Sequence, residues 1–167
     1  MKPLVALVAV PFLVAAVAVG GFKVTPDKDN VVSSRLAGSW VPDPDLYERL
    51  KGGAPGKNAK PIEVRSAPEI AEKIPDQYGE FLNGRTLYMA GYIKWGEQES
   101  PFVLTDFHGN PHMLIFRERD GDPFSDGESC NVMLAWAKDP KNDMLFMGAD
   151  FNNEPFRPYR RAEEAAK

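Results

Sequence analysis

Leu87-Tyr88-Met89-Ala90-Gly91-Tyr92-Ile93 is the stretch that decides how this chain folds. Leu87, Met89, Gly91 and Ile93 alternate with Tyr88, Ala90, Tyr92 and Lys94. Alternation of that kind gives a strand one buried face. The glycine falls mid-strand, where a chain that bends sharply to close a small barrel needs a residue without a Cβ.

Working outward, residues 102–106 and 112–117 read as two further strands, joined through a turn at His108-Gly109-Asn110-Pro111. Residues 131–137 and 144–151 follow as a hairpin about Asp139-Pro140-Lys141-Asn142. Upstream, Ser66-Ala67-Pro68-Glu69 reads as a capped helix start, with Ile70, Ala71 and Ile74 on one face and Pro75 ending it. Residues 25–60 hold Pro42, Pro44, Gly52, Gly53, Pro55 and Gly56 and read as a spacer, with one short helix over 45–50. Ile62-Glu63-Val64 has room for a brief strand.

The order of these pieces resembles the OB-fold, especially bacterial exported OB proteins that place a short helix before the first strand. The resemblance rests on residues 87–93, on Phe102-Val103-Leu104-Thr105-Asp106-Phe107-His108-Gly109 and on the hairpin after them, and covers residues 62–151. It implies an all-β chain with a short preceding helix: a small five-stranded OB-type barrel, plus an N-terminal apolar helix. The chain then divides into a leader (1–24), a spacer (25–60), the barrel (61–151) and a polar tail (152–167). The resemblance also implies a binding face with Tyr88, Tyr92, Lys94, Val103 and Thr105, joined by whichever of Met113 and Ile115 points outward. Two features depart from the pattern: Trp136 on the fourth strand, and a connection over 118–129 that is polar and glycine-rich. A second resemblance, to lipocalins, lies in Gly38-Ser39-Trp40 and Thr105-Asp106-Phe107, but the Pro/Gly-rich spacer argues against the additional strands it requires.

Residues 4–22 are almost wholly apolar between Lys2 and Lys23, as in an export signal or a membrane anchor. Ala16-Val17-Ala18 offers a cleavage site after Ala18. Either reading exports the remainder to the periplasm or another extracytoplasmic space. A net charge of −4 without a basic stripe argues against nucleic acid, and Arg157, Arg160 and Arg161 read as a solvated face of the tail. The single cysteine, Cys130, excludes an intrachain disulfide and reads as a packing residue.

His108 and His112 with Asp106 could hold a transition metal, and Asp120, Asp122, Asp126 and Glu128 could offer oxygens to calcium, although their spacing does not fit the twelve-residue calcium loop. No phosphate loop, nucleophile elbow or zinc-ligand spacing is present, and no cofactor is expected. The expected function is an exported, non-catalytic binding or interaction module held near the membrane, such as an accessory subunit of an envelope complex. The alternatives are a periplasmic metal or haem carrier using His108 or His112, and a lipocalin-like small-ligand binder.

Overall fold

The computed structural model describes residues 18–19, 22–23, 25–26, 31–51, 60–107, 110–148 and 157–162. Eight antiparallel strands make the barrel: β1 (Gly38–Pro42), β2 (Ile62–Ser66), β3 (Thr86–Trp95), β4 (Gln98–Phe107), β5 (Asn110–Arg119), β6 (Asp122–Ala135), β7 (Met144–Gly148) and β8 (Arg157–Arg161). Each pairs with the next in sequence, and β8 returns to β1, with Arg161 opposite Trp40 and Tyr159 opposite Pro42. The sheet is therefore an up-and-down cylinder without an exposed edge.

This corrects the five-stranded OB expectation. The five expected strands exist as β3 to β7, but three more complete the ring. β1 comes from the stretch read as spacer, β8 from the stretch read as tail, and β2 extends the brief strand at Ile62. The polar connection over 118–129 is not a loop either. Asp120 (φ 55°) and Gly121 (φ 83°) both take left-handed backbone, as a two-residue hairpin turn requires, and β6 begins directly after them. At the other end of the hairpin, Asn110 and Pro111 belong to β5 rather than to a turn, and of the expected strand over 144–151 residues 149–151 lie outside the described residues.

Gly91 does mark a close approach. A Cβ there would lie 2.0 Å from the Arg65 carbonyl oxygen on β2, so no side chain fits. Beyond Ser66, which is the last residue of β2 rather than a helix cap, the chain runs through 3₁₀ turns at Pro68–Lys73 and Asp76–Tyr78 into helix α3 (Gly79–Leu82). Two other short helices flank β1: α1 (Val31–Leu36) and α2 (Pro44–Lys51), the latter capped by Asp43 Oδ1 accepting from Leu46 N at 2.9 Å.

Two apolar layers result. Inside the ring lie Trp40, Ile62, Ile93, Phe102, Met113 and Leu145, with matching residues from every strand. Outside, Ile70, Ile74 and Leu82 of the 67–82 crossing pack onto Val103, Leu114 and Phe116. That crossing is the reason β3 to β5 read as apolar on both faces.

Ahead of the barrel, Ala18–Val19 pairs with Phe22–Lys23, and Thr25–Pro26 runs alongside β3. Where the expected apolar helix over 4–22 is described, it is extended instead; the remainder lies outside the described residues. No helix among the described residues is long and apolar enough to cross a membrane.

Candidate functional site

The interior alternation carries the site. On β4, β5 and β6 the inward positions are apolar in the middle of the barrel and become polar toward one end. Phe102 and Leu104 give way to Ser100 and Gln98, Ile115 to Arg117, and Cys130 to Glu128. At that end the barrel holds a cavity of about 430 Å³. Its inner wall is made by Trp95, Ile115, Cys130, Met147 and Tyr159. Its rim carries Gln98, Arg117, Glu128 and Arg157, with Ser100 just below.

Arg117 and Glu128 form an ion pair across β5 and β6 at the rim, and both side chains remain about half exposed. Deeper in, burial pushes the Tyr159 hydroxyl above its ordinary pKa against the opposing charge of Arg157, so it stays protonated and can donate. The Cys130 thiol is pushed up to about 11, chiefly by burial, and its Sγ lies 3.2 Å from the Gly148 carbonyl oxygen as a donor. At neutral pH this is a small apolar wall group and not a nucleophile.

The opposite end is shut. Leu36 of α1 and Trp40 of β1 are fully buried there, and Trp40 Nε1 donates to the Leu36 carbonyl at 2.9 Å. Arg161 Cζ lies 4.0 Å from the Trp40 ring centroid, while its Nη1 donates to Ala37 O at 2.7 Å and its Nη2 to Arg35 O. Arg35 in turn forms a two-point pair with the fully buried Asp143, which also accepts from Ala137 N at 2.9 Å. Residues from both chain ends thus lock one mouth of the barrel.

The residues expected to form a binding face do not share one. Tyr88 packs against the interior cluster, and Tyr92 lies outside beneath Arg65, whose Cζ is 4.6 Å from its ring centroid. Lys94 is exposed. Val103 is completely buried under the 67–82 crossing; Thr105 is also completely buried, and its hydroxyl has no hydrogen-bond partner among the described residues. Met113 and Ile115 both face inward.

His108 lies outside the described residues. His112 is on the outer wall, bonded to Asn131 and Ser129. The acidic residues are spread along a hairpin: Asp120 is in the turn, Asp122 Oδ1 accepts from Phe124 N at 2.9 Å, Asp126 stands opposite Arg117, and Glu128 pairs with Arg117. Among the described residues no three His, Cys, Asp or Glu side chains gather in a way that could hold a metal ion.

Sequence reasoning missed Ser100, Gln98 and Arg117, and assigned Arg157 to a solvated tail. The available signal was phase: each of the first three stands two or four residues from an inward apolar partner on its own strand.

No protein-family model, no curated protein and no solved structure matches the chain significantly.

Proposed function

We propose that the protein is a binding module that takes one small organic molecule into the open mouth of its barrel. The carrying observation is the graded cavity: about 430 Å³, with an aromatic and aliphatic wall inside and two arginines, a glutamate and a glutamine at the rim. Volumes of this order, apolar with a few placed polar groups, suit drug-sized ligands. The ligand that fits is amphiphilic, with its apolar body against Trp95, Met147 and Tyr159 and a polar or anionic head beside Arg117 and Arg157. This is the lipocalin-like alternative, and the eight-stranded up-and-down ring supports it. The metal or haem carrier draws no support from His112, which faces away from the cavity.

Export belongs to the same proposal, on the strength of the apolar run over residues 4–22. Intact mass of the mature chain tests whether it begins after Ala18.

The binding test uses 8-anilinonaphthalene-1-sulfonate, an apolar body with an anionic head, titrated against the full chain. Saturable one-site binding with quenching of tryptophan fluorescence is expected, and Ser100→Phe, which pushes a ring into the cavity, weakens it in a chain that still unfolds cooperatively. Absence of saturable binding, or equal binding by Ser100→Phe, overturns the reading.

A further inference from the structure

The outer wall of the barrel carries a second group of side chains that the cavity does not use. Register places His112 on β5 opposite Asn131 on β6, and Leu114 opposite Ser129. Because residues two apart on a strand share a face, Ser129 and Asn131 stand side by side next to the imidazole. His112 Nδ1 is 2.8 Å from Asn131 Oδ1, and Nε2 is 2.5 Å from Ser129 Oγ.

The amide oxygen can only accept, so Nδ1 carries the ring proton and the Nε2 lone pair points at the serine hydroxyl, which donates to it. The imidazole and Asn131 are buried, at 8% and 9% exposure, whereas Ser129 is open to solvent. Burial lowers the His112 pKa, opposed by the Asn131 hydrogen bond and assisted by the charge of Arg85, so the ring is unprotonated at pH 7 and has a lone pair able to take a proton. Phe81 covers the imidazole at 5.3 Å between centroids, and Arg85 lies over Phe81 at 4.2 Å, which brings a cation to this side of the wall.

An exposed hydroxyl, a neutral imidazole base and a buried group orienting that base are the three parts of an activated nucleophile. We propose that Ser129 is a nucleophilic serine, with His112 as its general base and Asn131 as the positioning residue, that takes acyl groups from small activated esters. Ser129 Oγ bonds to the ester carbonyl carbon as its proton passes to His112 Nε2. The carbon–oxygen bond to the leaving group then breaks, and the departing alcohol takes that proton. Water, deprotonated by the same nitrogen, cleaves the acyl-serine, releases the carboxylic acid and restores the hydroxyl. Ser129 alone of the three is open to solvent, and Phe81 crowds the imidazole beside it, so the site selects for reactive, compact acyl groups.

The test treats the purified full chain with a fluorophosphonate probe and, separately, with p-nitrophenyl acetate. One adduct per chain, mapped by peptide mass to Ser129, is expected. Ser129→Ala removes it and, being at an exposed position, leaves the fold intact. His112→Gln slows labelling by at least about 100-fold, in the range of a lost general base. Asn131→Leu slows it as well, whereas Asn131→Asp, which keeps an acceptor for Nδ1–H, restores it. Ser125, on the same strand with its hydroxyl donating to Arg117 O, serves as the ordinary serine for comparison. Labelling of wild type at Ser129 no faster than at Ser125 overturns the proposal, as does labelling of a folded His112→Gln at the wild-type rate.

Discussion

At one end of the barrel Asp143 sits fully buried beside two arginines; at the other, Glu128 meets Arg117 with 46% and 58% of their side chains in water. Both are carboxylate–guanidinium pairs on the same eight-stranded ring, yet they do different work. The shut end is closed because α1 brings the Leu36 carbonyl to Trp40 Nε1 and β8 brings Arg161 over the Trp40 ring. Charge there is permitted only because every group is answered by another. At the open end no plug is present among the described residues, inward side chains turn polar, and charge is held in water. The buried ion pairs lie where the ring is sealed, and the cavity where it is not.

The largest effect that could break this contrast is at Asp143. Asp143→Ala takes the carboxylate from Arg35 and the acceptor from the Ala137 amide, and a loss of about 3–5 kcal/mol is expected in urea unfolding. Glu128→Ala, the same chemical change at the open end, costs less than about 1 kcal/mol because its pair is screened by solvent. Equal losses would show that the two ends are not distinct.

Cys130 sharpens the picture from inside the cavity. With its pKa at about 11, its thiolate fraction at pH 8 is about 100-fold below that of an ordinary thiol, so alkylation by iodoacetamide is expected to be slow in the native protein and fast in denaturant. Rapid native alkylation would mean that the cavity floor is wetter than its wall implies.

The smallest effect belongs to the wall between the ends. His112 titrates lower in the folded chain than in the unfolded one, so the unfolded state binds more protons once the pH falls below about 6.5. The stabilisation is complete above that pH and is lost as acid approaches and passes the folded value. A melting temperature that falls between about pH 7.5 and about pH 5, with a shallower fall for His112→Gln, checks it.

Much of this ring was legible and part of it was not. β3 to β5 stood out because a covered outer face and a packed inner face make long apolar runs with a readable alternation. β1 and β8 are five residues each, and each sends one large apolar side chain inward, Trp40 or Tyr159, among prolines, glycine and arginines. Too few alternations occur there to register. β6 was half hidden for another reason: residues 122–128 carry polar groups on both faces, so the strand resembles a loop until its Asp-Gly turn is noticed. The cavity was invisible because it is made by closure, and closure pairs residues that no local window contains together. The Ser129–His112–Asn131 group was concealed by the same gap, since its register spans two strands.

The seam between β1 and β8 sets Trp40 against Arg161, more than a hundred positions away in the chain. A nascent polypeptide still missing β8 can form the meander from β1 to β7 but has nothing with which to seal it. Until β8 has been made, the open sheet presents two raw margins, β1 and β7, to its surroundings. Docking of the closing strand is the moment at which those margins disappear.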